Sequence, residues 1–117
     1  MSNESVDTLV VGGGQAGIAM SEHLSASSIP HVVLERHRIA ERWRSERWDS
    51  LVANGPAWHD CFPNMAFPDT SPDGFAPKTQ VVDYLVAYAD KIKAPLRTGV
   101  EVKEVVPNPN GAGFQAT

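Results

Sequence analysis

The chain has 117 residues, a formal charge of −4, 42% apolar residues and one cysteine, Cys61. That length suits a single domain able to bury a core, and a lone cysteine excludes an internal disulfide or a cysteine-rich zinc site. No apolar run approaches the roughly 18 residues of a membrane span, the first residues carry no signal-like pattern, and the acidic balance disfavours nucleic acid; a cytoplasmic protein with neither a membrane nor a nucleic-acid partner is expected.

Residues 6–11, "VDTLVV", are rich in β-branched side chains and read as a buried strand. Residues 15–27 read as a helix, with Ala16, Ala19, Met20, His23 and Leu24 sharing a face at three-and-four spacing. Pro30 enforces an extended approach to a second strand over 31–35, "HVVLE". Strand, helix and strand in this span make a parallel βαβ unit with a right-handed crossover.

Residues 37–77 differ in character. Three tryptophans and five prolines stand among turn formers with little periodicity. "RIAERWRSERW" has the composition of one or two helical turns, and the remainder reads as a long irregular excursion whose aromatic content argues for order. Five of the six arginines (Arg36, Arg38, Arg42, Arg44 and Arg47) fall within the twelve residues 36–47. They read either as a solvated basic face partnered by Glu41 and Glu46, or as a local positive field for an anion.

Thr79 is placed to cap a second helix over 80–92, whose stripe is Val81, Val82, Leu85, Val86 and Ala89; Tyr84 and Tyr88 on it pack or reach water. Pro95 ends that segment. A short strand near Leu96, a longer one over 100–106, a turn at "NPNG" and a last strand in "GFQAT" complete the chain.

Gly12, Gly14 and Gly17 fit G-x-G-x-x-G, with Gly13 as an extra small residue. The motif follows a strand, opens a helix and lies within a βαβ unit, which is the context that gives it meaning. Gly12 allows the tight turn, Gly14 lets a pyrophosphate reach the main chain, and Gly17 lets the helix pack on the strand. The N–H groups that open the helix, from Gln15 and Ala16 onward, lack internal partners and face outward with the positive end of the helix dipole. Glu35, 23 residues after Gly12, ends the second strand, where a carboxylate accepts from a ribose and repels a 2′-phosphate. These features point to the adenosine diphosphate half of a dinucleotide. The βαβ unit does not distinguish FAD from NAD, and no Walker lysine follows the glycines.

The segment after Glu35 resembles the flavin-containing monooxygenase family, which includes auxin-forming plant members and related bacterial flavoproteins. The resemblance rests on Glu35-Arg36, Trp43-Arg44, Trp48-Asp49, Asn54, Cys61-Phe62-Pro63 and Phe67-Pro68-Asp69, then on "TQVVDYLVAYADK" and "LRTGVEVKEV". Where the family often has Gly-Gly before x-Trp, this chain has Ala40-Glu41. The resemblance implies a Rossmann-like α/β fold: an FAD-binding βαβ unit, a long irregular excursion, a second helix and an incomplete β-meander. It implies FAD as cofactor, with Arg36 stacking on the adenine and Arg44 near the phosphates. Trp43, Trp48 and Trp58 either flank the cofactor or pack in the core, with core favoured for Trp58. Asn54 either stands near the reactive face of the flavin or is simply a turn residue before Gly55-Pro56.

The family's NADPH-binding motif and its closing Ala-Thr-Gly strand do not occur in the sequence, so residues 1–117 are expected to be one incomplete FAD-binding domain, from the N-terminal side of a longer protein. NADPH dependence is then expected only of a full-length form, and no complete catalytic cycle of this chain alone. Two other readings stand beside this one. The first is a non-catalytic nucleotide-binding or assembly module, a homo-oligomer through an unpaired sheet edge; the second is part of a NAD-dependent dehydrogenase, which fits the segment after Glu35 less well. His23, His31, His37 and His59 lack metal-ligand spacing, and His59-Asp60-Cys61 is too local to read as a nucleophilic site.

Overall fold

The computed structural model describes residues 3–62, 64–68 and 70–117. Pro63 and Asp69 of the family resemblance lie outside the described residues. Strand β1 (Thr8–Val11), helix α1 (Gln15–Ala26) and strand β2 (His31–Glu35) form the expected parallel βαβ unit, in register from Thr8 opposite His31 to Val11 opposite Leu34. Strand β3 (Leu96–Thr98) pairs parallel to the other side of β2. The sheet order is β1-β2-β3, so β1 is an edge.

β1 begins two residues later than the sequence pattern predicts. Thr8 N–H donates to the Pro30 carbonyl (3.2 Å). One step further back, the Val6 carbonyl would need an N–H from residue 30, and proline has none.

The rotation of α1 also differs from expectation. Ile18, Ser21 and Leu24 face inward, while Met20 is 51% exposed and Ala16 and His23 are exposed. Gly17 decides this: an added Cβ there would lie 1.9 Å from the Gly12 carbonyl oxygen, so this side of the helix touches the strand. Ser21, fully buried, bonds His31 Nε2 (2.7 Å), and His31 Nδ1 donates to the Ile29 carbonyl (2.9 Å). Val10, Leu24 and Val33 form a small core under α1.

The excursion between β2 and β3 is ordered by tertiary contacts. It holds two short helices, α2 (Glu41–Ser45) and α3 (Ala57–Asp60), and the longer α4 (Lys78–Lys91). The main core gathers Ile39, Ala40, Ala53, Ala57, Phe67 and Ala76 against Val81, Val82, Tyr84, Leu85, Tyr88 and Ala89 of α4, with Ile18 of α1. Val86, expected in that stripe, is exposed; Tyr84 and Tyr88 take the inner positions. The cap of α4 is Pro77, not Thr79. The Pro77 carbonyl accepts the first helical bond from Val81, and Lys78 is tied to the Leu51 carbonyl through its N–H and to the Arg47 carbonyl through Nζ, which starts the helix early.

Trp58 is 60% exposed, not core: one turn of α3 puts Ala57 inside and turns Trp58 out. Ala40, where the family often has glycine, caps α2 in the left-handed conformation (φ 62°), its methyl buried in the main core. The strand expected over 100–106 is only β4 (Val105–Pro107), because Gly99 (φ 70°) turns the chain and Val100 N–H is taken by the Glu35 carbonyl. β4 pairs antiparallel with β5 (Phe114–Ala116) across the expected Asn108–Gly111 turn, as a sheet separate from the first. No helix among the described residues is long and apolar enough to cross a membrane, and no group of three or more His, Cys, Asp or Glu among them could hold a metal.

Candidate dinucleotide site

The glycine turn joins β1 to α1 at the end of the sheet where Glu35 closes β2. Gly12 continues the ladder, donating to the Leu34 carbonyl (2.8 Å), and turns the chain at φ 100°. Gly13 is buried and donates its N–H to Glu35 Oε1 (2.9 Å). An added Cβ at Gly13 would press on Glu35 Cβ at 3.1 Å. Glu35 Oε2 accepts from His37 N–H (2.7 Å), so both carboxylate oxygens are held beside the turn. Gly13, an extra small residue in the G-x-G-x-x-G pattern, thus has a role of its own, signalled in the sequence only by the unbroken run Gly12-Gly13-Gly14.

Gly14 is the N-cap of α1, at φ −80° and ψ −166°. Any residue adopts that backbone, and an added Cβ would meet nothing within 4 Å. The fold itself therefore does not need glycine at 14, in contrast to 12, 13 and 17. Ile18 N–H is the first to bond back, to the Gly14 carbonyl (3.0 Å), which leaves the N–H groups of Gln15, Ala16 and Gly17 without helical partners. The first turn carries no acidic side chain. This end of α1 presents open donors and a positive dipole over an unobstructed glycine.

The remaining candidate residues sit in the excursion. Arg36 is exposed and has no side-chain partner among the described residues. Trp43 is half-buried against the main core, with the Arg47 guanidinium over its ring at 5.6 Å. Arg44 donates from Nε to the Ile39 carbonyl (3.2 Å). Asn54 is exposed. Among the described residues no hydrogen bond or ion pair joins Arg36, Trp43, Arg44 or Asn54 to the glycine turn. The arginine cluster is largely a partnered face: Arg38 pairs with Glu41 (2.9 Å) and Arg42 with Glu46 (3.4 Å). The Arg38 hydrogen bond holds the Glu41 carboxyl below its ordinary range. Cys61 donates to the Trp58 carbonyl (3.3 Å) and not to His59.

No protein-family model matches the chain. Its sequence relatives include an uncharacterized CzcO-like oxidoreductase of Geobacillus kaustophilus, 39% identical over 98 residues. The match covers 83% of this chain and 28% of that protein. Indole-3-pyruvate monooxygenase YUCCA1 of Oryza sativa subsp. japonica is 34% identical over 97 residues, covering 82% of this chain and 24% of its own length. Among solved structures, a flavin-containing monooxygenase from Stenotrophomonas maltophilia superposes with a TM-score of 0.81 at 25% identity, over 97% of this chain and 36% of that one.

The chain is a relative of the flavin-containing monooxygenases.

Shared by sequence and by fold, the likeness runs over most of the chain but spans about a quarter to a third of the length of these three proteins. The βαβ unit with its glycine turn, the excursion and α4 all lie on a chain that superposes over nearly its full length on a flavin-containing monooxygenase.

Proposed function

We propose that this chain forms the adenosine diphosphate side of an FAD site in a flavin-dependent, monooxygenase-like oxidoreductase. One observation carries the proposal. Gly14 is the residue of the turn that neither backbone strain nor internal packing requires to be glycine, so what excludes its side chain comes from outside the chain. A diphosphate against bare peptide N–H groups meets that requirement.

In this reading the N–H groups of Gln15, Ala16 and Gly17 bind the phosphates, and Gly12 and Gly17 hold the turn tight enough to aim them. Glu35 accepts from the ribose hydroxyls, and Arg36 stacks on the adenine. Trp43 and Arg44 line the excursion side, and Asn54 stands toward the reactive part of the flavin. FAD, when bound, would supply the redox chemistry, with NADPH dependence confined to a full-length form.

Titration of the purified chain with FAD, followed by flavin fluorescence, tests the proposal. The Gly14→Val variant should lose FAD affinity by about tenfold or more, as a lost pair of charge-assisted hydrogen bonds would, while losing no more than about 1 kcal/mol of stability. ADP should compete with FAD, while 2′-phosphorylated ADP should compete poorly because of Glu35. No FAD binding by the wild-type chain, or undiminished affinity in Gly14→Val, would overturn the assignment.

A second reading has its own observation. β1 is an edge strand, and the N–H and C=O groups of Leu9 and Val11 point away from β2 with no strand on that side among the described residues. A free parallel edge without lysine, proline or bulge is open to pairing, including with a second copy. In that reading the chain is a nucleotide-binding assembly module.

A further inference from the structure

The short arch that carries Asn54 is fastened more firmly than a surface turn requires. At one foot, Ala53 N–H donates to the Ala76 carbonyl (2.9 Å); at the other, Ala57 N–H donates to the Gly74 carbonyl (2.8 Å). Asp60, the last residue of α3, reaches back under the arch, and its Oδ2 accepts from Gly55 N–H (2.9 Å). A Cβ added at Gly55 would stand 2.4 Å from Asp60 Oδ1 and 2.9 Å from its Cγ. The carboxylate lies against the Gly55 α-carbon, so glycine is needed there for the close approach. His59 Nδ1, 2.9 Å from Asp60 Oδ1, engages the second oxygen. Asn54 is exposed, and its side-chain amide has no partner among the described residues.

We propose that Asp60 is a positioning residue for Asn54: it clamps the Asn54–Gly55 peptide so that the free amide of Asn54, able both to donate and to accept, is held toward a polar edge of the bound flavin. This rests on the reading of the chain as an FAD site. A carboxylate accepting a backbone N–H makes a stronger bond than a neutral acceptor, and three ties on a five-residue segment leave its backbone little freedom. The clamp is built from Gly55 and Asp60, five positions apart, a spacing that matches no recognised motif.

The experiment uses the whole chain with Asp60→Ala, Asp60→Asn and Asn54→Ala. Amide hydrogen exchange at Gly55, without ligand, reads the clamp. The visible absorption and circular dichroism of added FAD read its consequence, and ADP affinity reads the adenosine side independently. Asp60→Ala should speed Gly55 exchange by roughly tenfold or more and change the bound flavin spectrum, leaving ADP affinity unchanged. Asp60→Asn, which keeps an acceptor in place, should restore most of both. Asn54→Ala should give the same spectral change with normal Gly55 exchange. If wild type binds FAD in a Gly14-dependent way but the flavin spectrum ignores Asp60→Ala or Asn54→Ala, the positioning role is overturned and the FAD assignment stands. If wild type does not bind FAD, the FAD assignment falls and the positioning role falls with it.

Discussion

Four glycines within six residues serve four different physical ends. Gly17→Ala would drive a methyl into the Gly12 carbonyl oxygen at 1.9 Å. Backbone cannot yield there without moving α1 off the sheet, so a loss of about 3 kcal/mol or failure to fold is expected. Gly12→Ala has room but must hold φ at 100°, which should cost about 1–2 kcal/mol. Gly14→Ala should change stability by less than about 1 kcal/mol, because its backbone suits any residue. Chemical denaturation of the three variants would rank them in that order; equal costs would refute the division of labour. The turn and Glu35 were legible from sequence because both obey fixed spacings along one local unit. The side of α1 that packs inward was not. Ala16, Met20 and His23 satisfy helical periodicity as well as Ile18, Ser21 and Leu24 do, and only contact through Gly17 decides between them.

Among the elements, α4 does the most to hold the excursion. Tyr84, buried on it, accepts from Phe62 N–H (2.7 Å), donates to the Met65 carbonyl (2.5 Å) and stacks on Phe67 at 4.0 Å between centroids. Lys91 Nζ holds the Asn64 carbonyl, and Asn64 reaches Glu22 of α1 (3.3 Å). Tyr88 is also fully buried, but its hydroxyl makes no hydrogen bond among the described residues, although the Glu22 carboxylate lies near enough to act on it. The two tyrosines should therefore respond oppositely to loss of the hydroxyl. Tyr84→Phe leaves a partly buried N–H and carbonyl without their partner and should cost about 1–3 kcal/mol, whereas Tyr88→Phe should be neutral or gain up to about 1 kcal/mol. Urea denaturation of both would show it, and a costly Tyr88→Phe would mean that its hydroxyl is bonded.

Burial raises the pKa of both phenols above the ordinary tyrosine value, and the Glu22 carboxylate adds to the push on Tyr88. The folded state therefore holds the phenol protons more tightly than the unfolded chain does. The contribution is thus intact below the unfolded value near pH 10 and lost as pH rises through the folded values. Stability should fall above about pH 10, and Tyr84→Phe/Tyr88→Phe should flatten that fall. The βαβ unit was readable in advance because its pattern is local. The excursion was not, since the Tyr84 hydroxyl ties Phe62 to Met65 and Lys91 holds Asn64, and none of these leaves a periodic trace.

At the scale of the molecule, the shape is elongated: 51 × 30 × 20 Å, with a radius of gyration of 16.1 Å. A compact chain of this length would have about 13 Å. The β4–β5 pair stands as its own sheet, and β1 leaves one edge of the main sheet open. Val11, at the end of that edge, is 56% exposed. Under the assembly reading, light scattering should show association that grows with concentration, and Val11→Lys should suppress it with little change in unfolding temperature, since a charge on an edge blocks strand pairing. A monomer at every concentration tested would remove that reading and leave the flavin site untouched.

The hold of the Gly13 amide and the His37 amide on Glu35 has one more outcome. A free glutamate surrenders about 1.5–2 kcal/mol of rotamer freedom when it is immobilised. Here that ordering happens as the chain folds, so under the proposed flavin-site reading an incoming sugar would meet an acceptor already set in place. In that reading the corner is preorganised, and a Glu35→Asp exchange, one methylene too short to span from β2 to the turn, should weaken ADP binding in titration through slack rather than through any change of charge.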